Sequence, residues 1–173
     1  MAAFSILFQV FAFLGYAAFQ VFFLEGVVLG GVAFCWLYVS FLLFLPLDTD
    51  SVLLLLIAFT FGLLVDAFYD SSGVHTAATL VLAYARKWVL DALRPSNGYE
   101  NGQRPLLGDM SWRWFSSYVL VLLLVHHTTL FLVESVQVFD MGLFLLKVLS
   151  STVFTFVSIV LFQYLFYRKY AWN

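Results

Sequence analysis

Hydrophobic positions fall in six long runs divided by short polar punctuation, at residues 4–24, 32–47, 52–68, 74–89, 115–133 and 143–166. The runs are continuous rather than alternating. All but the fourth are about long enough for a helix to cross a hydrocarbon core of roughly 30 Å at 1.5 Å per residue. The pattern predicts an all-α, polytopic membrane bundle of about six transmembrane helices, forming one domain over residues 1–173. The first run has no basic n-region and is too long for a signal-peptide core, so it reads as a retained helix. Turn residues mark the connections at 25–31, 46–51, 70–73 and 134–142. Only the connection 95–113 is long. Its PSNGYENGQRP stretch has the character of an exposed loop, and Trp112 and Trp114 read as interfacial anchors for the helix that follows.

Composition moves the expected solvent from water to lipid. The chain is 64% hydrophobic and 10% charged, whereas soluble domains carry about 25% charge. A membrane β-barrel needs alternating polar and apolar positions, which these runs lack. No basic run suggests nucleic acid. The single cysteine, Cys35, excludes a disulfide or a thiolate metal cluster made within the chain.

The distribution of charge says more than its sum. Arg86, Lys87, Arg94, Arg104 and Arg113 fall at or after the end of the fourth run, and Arg168 and Lys169 follow the sixth. The connections on the opposite side carry Glu25, Asp70, Glu134 and Asp140 and no basic residue. By the positive-inside rule, this places both termini, the acidic Asp48 to Asp50 turn and the 95–113 loop in the cytoplasm. Lys147, inside the sixth run, is the exception.

The fourth run is short. Residues 74–85 are uncharged, about 18 Å of helix, and then Arg86 and Lys87 arrive. At 100° per residue, Arg86, Arg94, Lys87 and Asp91 share one face, with Leu90 intruding and Trp88, Val89 and Ala92 opposite. Two readings stand: a second half lying along the cytoplasmic interface, which the pattern favours, or one lining a polar space between helices.

Ionisable groups inside apolar runs are functional candidates, because burying them in lipid is costly. Asp66 closes GLLVD, and His75 follows the DSSG turn. His126 and His127 sit near mid-membrane, and Glu134 ends the fifth run. For Asp66 and His75 the structural reading, a pair that locks a helical corner, is preferred to a proton relay, since no line of further titratable groups is visible. The adjacent histidines point about 100° apart and cannot chelate one metal as an i, i+4 pair does, so bonds across helices are the better expectation. Glu134 and Lys147 are placed to pair. GVVLG at 26–30 fits both a GxxxG packing motif and a turn. No phosphate loop, HExxH, GxSxG or nucleophile with a suitably spaced base is present, so neither enzymatic activity nor a cofactor or metal site is expected.

Over residues 45–134 the chain resembles the MreD family of rod shape-determining membrane proteins. The resemblance is carried by the Pro46 turn, GLLVD ending at Asp66, GVH at 73–75, Arg86, RPSNGYE, and the HH pair followed by Glu134. Where the family commonly has proline after the arginine, this chain has Lys87. The resemblance implies a non-catalytic scaffold of the elongation complex. Such a scaffold works with MreC, the MreB filament, and the RodA glycosyltransferase with its penicillin-binding transpeptidase in peptidoglycan synthesis. It also implies a fold like that of the substrate-binding subunits of energy-coupling-factor transporters, and hence the alternative of a vitamin-like ligand pocket on the outer side. Arg86, Lys87 and Arg94, with the loop beyond, are the expected contact face for partners or anionic lipid.

Overall fold

The computed structural model of the protein describes residues 2–135 and 139–166, with side chains from Gln9 onward. Among these, five long helices dominate: α1 (Ala2–Phe23), α3 (Ser51–Tyr69), α4 (Val74–Ala92), α5 (Trp112–Glu134) and α6 (Met141–Phe166). Between α1 and α3 lie two short strands, β1 (Val28–Leu29) and β2 (Ala33–Phe34), and a five-residue helix, α2 (Val39–Leu43). Helices α3, α5 and α6 are long and apolar enough to cross a membrane, and Gln9–Phe23 is a shorter apolar helix.

Local chemistry sets the helix ends. Asp50 caps α3 by accepting from the Val52 and Leu53 amides, Ser111 accepts from Trp114, and Asp140 accepts from Leu143, each satisfying amides that lack a partner in the first turn. Helix α3 stops where Asp70 turns left-handed, at φ 49°, and Gly73 at φ 88° opens α4. Residues 70–73, the β1–β2 hairpin and the start of α6 lie at one end of the bundle, here the hairpin end. Residues 46–51 and 95–113 lie at the other, the loop end.

Helices α3, α4, α5 and α6 pack as successive neighbours. Helix α1 closes the ring by packing on α3 and by bringing Tyr16 and Phe19 against Phe162 of α6. The centre is filled by α2 and the residues before it, where Tyr38, Val39, Leu42 and Leu43 are fully buried. One contact is close enough to dictate a residue. A Cβ on Gly62 would stand 2.5 Å from the Thr76 Cα, so α3 and α4 meet there backbone to backbone.

Two expectations are corrected. The run 32–47 is not a transmembrane helix. It is an antiparallel hairpin with Val28 opposite Phe34 and Leu29 opposite Ala33, an extended descent, and α2. Its backbone groups can do without helical partners because neighbouring helices satisfy them. Gln20 of α1 donates to the Cys35 carbonyl and accepts from the Tyr38 amide. Ser151 and Thr155 of α6 accept from the amides of Phe34 and Trp36. The GVVLG stretch is therefore hairpin and turn, with Gly26 at φ 74° and Gly30 at φ 59°. The second correction is to α4, which runs unbroken from Val74 to Ala92 with no interfacial break after Ala85.

Candidate functional site

At the corner between α3 and α4, Asp66 gathers four donors. Its Oδ1 accepts from Ser71 Oγ at 2.6 Å and the His75 amide at 2.9 Å, and its Oδ2 accepts from the Thr76 amide at 2.9 Å and Thr76 Oγ1 at 2.6 Å. A carboxylate from one helix thus caps the next, where amide dipoles favour negative charge. The partner of Asp66 is the backbone of His75 and not its ring.

The ring faces inward. The Tyr38 hydroxyl sits 3.0 Å from His75 Nδ1 and 2.9 Å from His126 Nε2, binding α4 to α5 through the central segment. A hydroxyl has one proton to give, so one of these two nitrogens accepts it and the other donates to the oxygen. His127 turns the other way. Its Nδ1 lies 2.7 Å from the Leu123 carbonyl, which can only accept, so Nδ1 carries a proton, and its Nε2 lies 3.4 Å from Thr155 Oγ1. The two histidines therefore serve different neighbours. Among the described residues no group of three His, Cys, Asp or Glu side chains is placed to hold a metal ion.

Arg86 is 1% exposed. Its Nε donates to Tyr118 at 2.7 Å, and one terminal nitrogen donates to the carbonyls of Leu45 at 2.6 Å and Pro46 at 3.2 Å. The expectation that Arg86 lies on an exposed interfacial face is overturned: carbonyls freed just beyond α2 draw the guanidinium inward. Lys87 and Arg94 remain exposed. Near them burial raises the Tyr99 phenol above its usual range, and its hydroxyl donates to the Leu90 carbonyl at 2.8 Å. Tyr99, Trp114, whose indole donates to the Leu93 carbonyl, and Gln163, which accepts from the Leu107 amide, tie the 95–113 loop to the helices.

Glu134 and Lys147 form an ion pair at 3.4 Å, and the ammonium lies over the Phe34 and Phe131 rings. Arg168 and Lys169 lie outside the described residues. Two sizeable hollows flank the core. One of about 450 Å³ at the hairpin end is walled by Phe34, Trp36, Tyr69 and Phe131 with His75 and Glu134. The other, of about 720 Å³, lies between α3 and α4 at the loop end.

Reading the sequence alone missed Gln20, Tyr38, Tyr118 and Thr155, which carry as much of the polar network as the ionisable residues do. Gln20 and Thr155 are fully buried polar residues in apolar helices, and that combination was the available signal. No family model, curated protein or solved structure matches this chain.

Proposed function

We propose that this chain is a multi-pass inner-membrane scaffold of the MreD kind. Five long helices and the 25–47 segment would cross the bilayer, with both termini in the cytoplasm. It would join MreC, MreB, RodA and the penicillin-binding transpeptidase in the elongation complex and do no chemistry itself. The observation that carries the reading is the division of labour on α6. Ser151, Thr155 and Gln163 face inward and bond to the fold, while Leu145, Leu149, Val153, Val157, Leu161 and Leu165 are exposed in an unbroken i, i+4 stripe. An apolar i, i+4 ridge of this kind, winding about 40° around the helix per step, suits the groove of a partner's membrane helix, where association rests on packing. The inward turn of Arg86 moves the contact surface from the expected charged face to this ridge, to α1 and to the exposed part of the 95–113 loop.

The test is recovery of MreC with the tagged protein. Exchanging Leu149 and Val153 for tryptophan should lower MreC recovery while membrane insertion is unchanged. Full recovery from both variants defeats the assignment of the ridge.

A second reading, a small-molecule-binding transport subunit, is favoured by the aromatic hollow of about 450 Å³ at the hairpin end. It predicts that a small molecule co-purifies with the protein and is lost when Trp36 is exchanged for alanine.

A further inference from the structure

The hollow of about 720 Å³ at the loop end has an ordered lining. Its deeper wall is Leu54 and Leu55 of α3 and Ala83 of α4. Its outer edge carries Lys87 and Arg94, and the buried Arg86 lines it between that edge and the apolar wall. From Ala83 to Ala92 the helix advances about 14 Å and Arg94 lies just beyond its end, so the lining passes from apolar to cationic within the depth between upper acyl chains and headgroups. On either side Leu53 and Leu56 of α3 and Tyr84 and Trp88 of α4 are exposed, continuing the apolar wall outward.

Charge gives the hollow a sign. Among the described residues Arg86, Lys87 and Arg94 form no ion pair; the pair found is Lys147 with Glu134 at the opposite end. Arg86 is held by a phenol and two carbonyls, so its buried charge has acceptors but no counter-ion. A buried cation without a compensating anion is costly, and an anion admitted beside it would be held strongly. Two carboxylates also line the hollow and work against this. Asp48 is engaged by the Gly102 amide at 2.9 Å, and Asp91 sits on the exposed side of α4, so the lining as a whole holds three cations, one of them the buried Arg86, against two anions.

We infer that this hollow is a binding site for one anionic phospholipid of the cytoplasmic leaflet, with its phosphate at the Lys87 and Arg94 edge, within the field of the buried Arg86, and an acyl chain along Leu54, Leu55 and Ala83. The inference rests on the membrane placement proposed above and not on the scaffold role. It assigns Lys87 and Arg94 to lipid rather than to a protein partner.

Native mass spectrometry of the full chain in mild detergent, offered phosphatidylglycerol and phosphatidylcholine in equal amounts, tests it. One phosphatidylglycerol should be retained in preference to phosphatidylcholine. The double variant Lys87→Gln with Arg94→Gln should lose that preference, with retention falling about tenfold or more at about 1 kcal/mol per basic residue. Ala83→Phe, which fills the apolar wall, should reduce retention with the charges intact. Equal retention of the two lipids, or an unchanged preference in the double variant, overturns the site. So does a double variant that loses MreC but keeps its lipid, because the edge is then a protein contact. Carbonate extraction of cell membranes reads the parent proposal separately: a chain that washes off defeats the membrane placement, whereas one that stays and shows no lipid preference defeats this inference alone.

Discussion

Arg86 donates from Nε to the Tyr118 hydroxyl at 2.7 Å, and Tyr118 donates in turn to the Leu43 carbonyl at 3.0 Å, so α4 is bound through α5 to the end of α2. The pair fixes the central segment at the loop end of the bundle. Arg86→Gln takes the guanidinium donors from the Leu45 carbonyl and the phenol, while Pro46 keeps those of Thr49, and should cost about 3 kcal/mol or more in detergent unfolding. Tyr118→Phe should cost about 1–2 kcal/mol. Exposed Lys87→Gln should stay within about 0.5 kcal/mol. An Arg86 variant as stable as Lys87→Gln contradicts the internal role.

Asp66 and His75 are coupled through the main chain. Asp66→Ala removes the acceptor of four hydrogen bonds and should destabilise by about 2–3 kcal/mol, with Asp66→Asn intermediate. His75→Ala should also destabilise, by removing a buried ring that binds Tyr38. Because the carboxylate bonds to the His75 amide, the double variant of Asp66→Asn and His75→Ala should be additive within about 0.5 kcal/mol. A coupling energy above about 1.5 kcal/mol points instead to a direct bond between the two side chains.

Gly62 and Gly15 make opposite predictions. A methyl at Gly62 meets the Thr76 backbone at 2.5 Å, whereas one at Gly15 meets nothing within 4 Å. Gly62→Ala should therefore force α3 and α4 apart at a cost of about 1–3 kcal/mol. Gly15→Ala should be neutral or stabilising by up to about 1 kcal/mol. Thermal unfolding in one detergent compares them directly.

Much of the fold was legible because the runs that form α1, α3, α4, α5 and α6 are continuous and bounded by residues with clear turn chemistry. Asp50, the 70–73 turn and Ser111 mark ends within a few residues of those found. The run 32–47 was not legible as an irregular segment, because a short apolar run looks the same whether it forms a buried helix or buried extended chain. Its conformation is decided by Gln20 on the preceding helix, 15 residues before Cys35, and by Ser151 and Thr155, 117 and 119 residues beyond the amides they accept from. Arg86 was misplaced for the same reason: charge periodicity favoured an exposed face, and the Leu45 and Pro46 carbonyls that draw it in are 41 and 40 residues earlier. Asp66 and His75 were rightly expected at one corner, since nine residues and a turn leave little freedom, but which atoms meet depends on how α4 begins.

The proposed orientation has its own test. Reporter fusions in the 70–73 turn and in the 95–113 loop should report opposite compartments, with the loop in the cytoplasm, as the basic residues near the loop end require. Both reporters in one compartment would remove the crossing by α4, and a periplasmic loop would invert the arrangement.

The scaffold role is tested most directly by quantitative affinity purification of the tagged full chain from cell membranes, with mass spectrometry of the proteins and small molecules recovered. A scaffold should bring down MreC together with RodA and its transpeptidase, and no stoichiometric small molecule other than phospholipid. Recovery of a vitamin-like ligand and of transporter energising subunits, with MreC and RodA at background, would contradict it and establish the transport reading in its place.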